Sequence, residues 1–252
     1  MAQLQLLEDA WVDVLVQRAI SAGFPAIIAT CARAAIDLNR AVDDIDPAMV
    51  ADPERAGPIY PGRRSDIGLG LFPKLLPGTG PLWRSNFAWA ELSARIDEDY
   101  WPYHNAITNA LALRRKHFGG AVLLDMHSMP PLRKSGRDLG IDIVFGTLHG
   151  QSSGDWLVTA IEQAAHDAGF STCRDTPYAG GHILAKYGRP AVNQHAVQIE
   201  LSRALYLDAD GHCDDAGASR VQSLVLTLAQ AALAAWKAHG LLDASGLSIA
   251  AE

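Results

Sequence analysis

Four short stretches of this 252-residue chain carry side chains suited to chemistry rather than to filling a core. In "VLLDMHSMPP", Val122 to Pro131, an apolar run turns polar at Asp125, His127 and Ser128 before two prolines stop it. Period-two alternation sends Asp125 and His127 to the same side of an extended strand. A neutral imidazole there can reach a zinc ion while the carboxylate orients it, and the same residues also suit a hydrogen-bonded histidine at a strand-to-loop turn. In "HAVQIELSR", His195 to Arg203, one face carries Gln198, Glu200 and Ser202, and the other carries Val197, Ile199 and Leu201. A carboxylate late in an apolar strand is costly unless it is paired or working. Glu200 is therefore a candidate general base or acid, with a salt bridge to Arg203 or another arginine as the alternative. In "RAAIDLNRA", Arg33 to Ala41, the guanidinium of Arg40 and the amide of Asn39 suit a carboxylate ligand, against an Asp37–Arg40 pair. In "PYAGGHILAKYGRP", Pro177 to Pro190, Gly180 and Gly181 either let backbone approach a ligand or make an ordinary tight turn.

These stretches need elements to hold them. Leu4, Leu7, Trp11, Val14, Leu15 and Val16 lie at helical spacing, Gly23 and Pro25 close that helix, and the apolar run Ala26 to Thr30 predicts a strand. Between Pro47 and Pro81 lie seven of the thirteen prolines and six glycines, which excludes a continuous helix or central strand and predicts a long structured excursion. Leu92, Ile96 and Tyr100 predict a helix interrupted at Pro102 and resumed through Ile107, Ala110, Leu111 and Leu113 toward Phe118, with Gly119 and Gly120 ending it. Strands are predicted at Ala121 to Asp125, Ile141 to Phe145 and His195 to Leu201, and a helix from about Asp155 to Ala168. A last helix carries Val221, Leu224, Val225, Leu228, Ala232 and Trp236 on one face, and the tail from Ser245 is expected to fray. Apolar strands separated by helices point to an α/β fold, a mostly parallel sheet covered on both faces. In such sheets reactive groups gather beyond the carboxyl ends of the strands.

Composition narrows the function further. With 49% hydrophobic residues the chain can bury a real core, and its length suits a single soluble domain. No run of about 18 uncharged apolar residues occurs and Met1 to Leu7 lacks the pattern of a signal peptide, so a cytoplasmic location without membrane insertion is expected. Three cysteines, without C-x-x-C spacing, indicate neither a disulfide framework nor a thiolate zinc site. A net charge of −7 argues against nucleic-acid binding, and an anionic substrate would need a few local arginines to capture it against the overall field. H-E-x-x-H, P-loop, G-x-S-x-G and G-x-G-x-x-G patterns do not occur.

From about Trp11 to Leu207 the order of "IDLNRA", a Pro/Gly segment with "GLGLFP" and "PLWR", "YWPYHNAI", "LLDMHSMP", "PYAGGHILAKYGRP" and "HAVQIELSRALYLD" resembles the N-formylglutamate amidohydrolase (N-formylglutamate deformylase) family. That family is related more distantly to aspartoacylase and the zinc carboxypeptidases. The resemblance implies a three-layer α/β/α sandwich around a mixed, mainly parallel sheet of the phosphorylase/hydrolase type. It also implies one divalent metal, zinc by ligand type, and hydrolysis of N-formyl-L-glutamate to formate and glutamate. On that basis His127 would bind the metal, and Glu200 would take a proton from the metal-bound water and hand it to the leaving amine. Asn39 and Arg40 would hold the substrate carboxylate, with Arg33 or Arg189 as further candidates. Asp9 aligns with an acidic pair of the family and is a candidate carboxylate ligand, or else simply charges a first helical turn.

One departure stands out, because no histidine precedes His104 and the family's N-terminal strand with its Pro-His-Ser/Ala-Gly motif does not occur in these 252 residues. His104, His182 and His195 are then possible replacement ligands. A sheet lacking that strand is expected to need a replacement strand or a partner subunit in a homo-oligomer to cover its edge. The alternatives to formylglutamate hydrolysis are an inactive member that binds a small carboxylate and an amidohydrolase for another N-acyl amino acid.

Overall fold

The computed structural model describes residues 7–76, 80–134 and 137–239. The chain divides into two compact units, Met1–Asp9 with Ile27–Thr108, and Ala10–Ala26 with Asn109–Glu252. The second holds the principal sheet, built from β1 (Ala121–Met129), β2 (Ile143–Gly146), β3 (Thr172–Arg174) and β4 (Gln194–Ser202) in the order β1-β4-β2-β3. β1 with β4 and β2 with β3 run parallel, whereas β2 and β4 run antiparallel, so the sheet is mixed. β4 has a neighbour on each side and all nine of its residues are buried.

The alternation read from the β4 sequence sorts its two faces. Val197, Ile199 and Leu201 join a core with Leu157 and Ile161 of the helix Asp155–Asp167 and with Val221, Leu224 and Leu228 of the helix Asp215–Ala238. Leu15 and Ala19, from the short helices Val12–Leu15 and Gln17–Ser21, enter the same core. On the other face Gln194 donates from Nε2 to the carbonyl of Tyr187, the last residue of the short helix His182–Tyr187. The chain enters β1 through Gly119, which leaves the preceding helix with a φ of 72°, and Gly120, where a Cβ would lie 2.2 Å from the Trp236 ring and 2.4 Å from the Asn193 carbonyl. That approach requires glycine.

In the first unit, Ile36, Leu38, Ile45, Met49, Val50, Leu71, Phe72, Leu92, Ile96 and Tyr100 form a separate core. The proline-rich excursion folds into short 3-10 turns, Pro47–Met49 and Pro53–Arg55, and one helical turn, Arg63–Asp66. Pro102 does not break its helix. Trp89–Arg95 continues through a π-helical turn, Ile96–Tyr100, into Trp101–Phe118. Proline has no N–H to return to the Glu98 carbonyl, and the wider turn absorbs that loss.

Two further expectations fail. Residues 26–30 form no regular secondary structure and are exposed, Ile27 at 38% and Ile28 at 40%. A short β-prone run becomes a strand only against a partner, and these residues pair with none among the described residues. The opening helix is shorter than its apolar spacing suggests, and Leu4 lies outside the described residues, as does the tail from Ser245. The sequence also gave no sign of β3, a three-residue strand with little apolar content. Among the described residues no helix is long and apolar enough to cross a membrane.

Candidate active site

β1 and β4 meet in a register that sets Asp125 beside Gln198 and His127 beside Glu200. Partners in a parallel ladder point to the same side. Four polar side chains from two motifs 73 residues apart therefore share one face, toward the carboxyl ends of both strands. His127 Nε2 lies 3.0 Å from Asp125 Oδ2, and Gln198 Nε2 donates to Glu200 Oε1 at 2.7 Å. Asp125, Gln198 and Glu200 are all buried. A carboxylate only accepts, so the hydrogen of the His127–Asp125 bond sits on Nε2.

Neighbouring segments shape this patch. On β2, Gly146 pairs with Gln198, and a Cβ there would lie 3.0 Å from Ala179 and Gly180 backbone. Glycine thus lets the Pro177–Gly181 segment pass close over the sheet. Burial and the Glu200 carboxylate push the Tyr178 hydroxyl up from its ordinary value, so Tyr178 joins the electrostatic surroundings of Glu200. Arg203 Nε donates to Ser128 Oγ at 3.0 Å, tying the ends of β4 and β1 together.

The first unit carries a second polar network, centred on Asp37. Its Oδ2 lies 3.2 Å from both Arg33 Nε and Arg40 Nη2, and its Oδ1 accepts from the Asn39 backbone N–H. Arg40 also donates from Nε to the Leu69 carbonyl and from Nη1 to the Asn39 carbonyl. Arg33 reaches Asp9 Oδ2 at 3.1 Å. The Asp37–Arg40 pair weighed in the sequence is formed, but it is buried and shared with Arg33 rather than surface-exposed. Three residues of one helix brace this segment, a role the sequence reading missed. Arg95 donates to the Ala35 carbonyl, Tyr100 to the Arg40 carbonyl, and His104 Nε2 lies 3.0 Å from the Leu38 carbonyl. In a regular α-helix residues 95 and 100 would point about 140° apart. The wider π turn between them brings them toward a common side, and that turn was the one signal, through Pro102, that sequence could have offered.

A model of the N-formylglutamate amidohydrolase family matches residues 1–207. The chain belongs to this family. It is 34% identical over 192 residues to the N-formylglutamate deformylase of Pseudomonas aeruginosa and 32% identical over 190 residues to that of Pseudomonas putida. Each alignment covers 74% of this chain and 65% of the relative, so the chain spans about two thirds of the length of these curated relatives. The crystal structure of N-formylglutamate amidohydrolase from Ralstonia eutropha JMP134 is similar with a TM-score of 0.85 and 31% identity, over 94% of this chain and 86% of that one.

Within this chain the expected site residues fall into groups. His127 and Glu200 are neighbours in the second unit, while Asp9, Arg33, Asn39 and Arg40 belong to the first unit's network. Arg189 is exposed and bridges Gln194 at the amino end of β4, about 20 Å along the strand from Glu200. The structure does not bring it to the Glu200 end. His195 is not a ligand beside His127 either, because it occupies the opposite face of β4, packed edge-on against Trp156 and Trp236. Its Nδ1 accepts from the Gly154 N–H. His104 is committed to the Leu38 carbonyl and stacks on Tyr100, and His182 begins a six-residue helix, half-buried.

Among the described residues the donor set at His127 does not by itself complete a zinc site. Among the described residues the one trio of His, Cys, Asp or Glu ligand atoms within 4.8 Å of one another is Asp208, Asp210 and His212, on an exposed loop. His127 and Asp125 form a pair, bonded to each other, where zinc ordinarily takes three protein ligands. The three cysteines are free, and burial together with Asp99 pushes the Cys31 thiol up to about 11, away from nucleophilic service.

Proposed function

We propose that this chain hydrolyses N-formyl-L-glutamate to formate and L-glutamate. The observation that carries the reading is the face of Asp125, His127, Gln198 and Glu200, placed by strand register at the carboxyl ends of β1 and β4 in a member of this family. Relatives named N-formylglutamate deformylase support the substrate. In this reading Glu200 takes a proton from the attacking water as its oxygen bonds to the formyl carbon. The C–N bond then breaks, and Glu200 returns the proton to the leaving amine. Asp125 accepts from His127 Nε2 and fixes the orientation of the ring. In the first unit Asn39 and Arg40, held by Asp37, Tyr100 and His104, are donors suited to a carboxylate. The free cysteines fit a reducing cytoplasm.

The wild-type chain is expected to release formate from N-formyl-L-glutamate, and Glu200→Gln to fold normally while losing roughly two to four orders of magnitude in turnover. Full activity in that variant would remove Glu200 from the mechanism. A divalent ion at His127 is a separate proposal, read by elemental analysis of the chain and of His127→Ala. A second reading, an inactive member that binds a small carboxylate, draws on the guanidinium groups of Arg33 and Arg40 gathered in the first unit. Glutamate binding without formate release would establish it.

A further inference from the structure

Two buried side-chain atoms lack a hydrogen-bond partner among the described residues, His195 Nε2 and Gln198 Oε1. Their surroundings differ. His195 sits among indole rings, whose π faces accept an N–H weakly. Gln198 sits against Glu200, with its Nε2 committed to Glu200 Oε1 and its own oxygen meeting no donor. A buried amide oxygen without a donor is unfavourable, and an apolar side chain of similar size would avoid it. The amide orientation is thus dictated by its contact with the carboxylate. The reverse orientation would place oxygen against oxygen.

We infer that Gln198 is a positioning residue for the reaction, holding the Glu200 carboxylate in one rotamer from two residues upstream on the same strand face. Three features support it. Register fixes the spacing, since Gln198 and Glu200 are alternate residues of a strand paired on both sides. Burial denies the amide any alternative partner in water, as Gln198 is 4% exposed. Gly146 beside it leaves no side chain to compete, and the Ala179–Gly180 backbone closes over that place. The bond holds the carboxylate oxygens at set positions and spares the reaction the cost of ordering them.

This inference rests on the proposed hydrolysis. The experiment compares wild type, Gln198→Met and Gln198→Glu on N-formyl-L-glutamate, with circular dichroism and melting as controls for folding. Methionine keeps volume and flexibility without the donor, while glutamate keeps the shape but turns an acceptor toward Glu200. Both variants are expected to fold cooperatively, to lose about tenfold or more in kcat, and to keep KM within about threefold. Wild-type kcat in a folded Gln198→Met variant would overturn the positioning role, and so would a rise in KM with kcat preserved. If wild type itself releases no formate, the hydrolase reading fails first and the inference falls with it. If Gln198→Met does not fold, Gln198→Glu decides by the same two criteria, and failure of both to fold would show a structural role and overturn the inference.

Discussion

Asp37 organises the polar network of the first unit because one carboxylate serves two guanidinium groups and one backbone N–H. Replacing one partner of a buried ionic cluster leaves the others uncompensated. Asp37→Asn is therefore expected to destabilise the protein by about 3 kcal/mol, read as a lower urea midpoint at unchanged slope. His195 illustrates the opposite case, a histidine with a purely structural place. Burial, with His239 nearby, holds it below the ordinary histidine value, so the folded state resists a proton that the unfolded chain accepts. Its contribution to stability is complete at neutral pH. That contribution falls as the pH drops below about 6.5, toward the lowered folded value, by up to about 1.4 kcal/mol per pH unit. Melting temperatures measured from roughly pH 7 to 5.5 should fall more steeply for wild type than for His195→Gln.

At the scale of elements, the helix Asp215–Ala238 shows how local chemistry sets a boundary. Asp214 accepts from the Gly217 N–H at 2.7 Å and starts a helix whose buried residues recur every three or four positions, from Ala218 to Trp236. Asp214→Ala is expected to lower stability by about 1 kcal/mol, seen as a lower melting temperature with activity intact. The helix through Trp89 to Phe118 is less local. Its π turn aligns Arg95, Tyr100 and His104 with three backbone carbonyls of the Ala35–Arg40 segment. Apolar periodicity revealed the helix, and Pro102 marked an irregularity, but the carbonyls that make the irregularity useful lie some 60 residues earlier in the chain.

At the scale of the whole molecule, the proposed hydrolysis would have a chain of net charge −7 bind an anion, so local donors must prevail over the general field. L-Glutamate, the expected product, should raise the melting temperature with a saturable concentration dependence, by the equivalent of about 2.7 kcal/mol at a hundredfold excess over its dissociation constant. No shift with glutamate or with N-formyl-L-glutamate would count against both the hydrolase and the carboxylate-binding readings.

The sequence by itself determined which side chains share a strand face, because alternation is a property of neighbouring residues. Asp125 with His127, and Gln198 with Glu200, follow from a period of two alone. It also determined the long helices, whose apolar stripes are local patterns, and the family, whose motifs are runs of adjacent residues. Tertiary structure decided what lies across from what. Only pairing set His127 beside Glu200, put Arg189 at the far end of β4 and turned His195 toward tryptophans. Only packing set Arg40 against Asp37 and two backbone carbonyls. It also left residues 26–30 outside any sheet, because a strand exists through its partner and no local pattern supplies one.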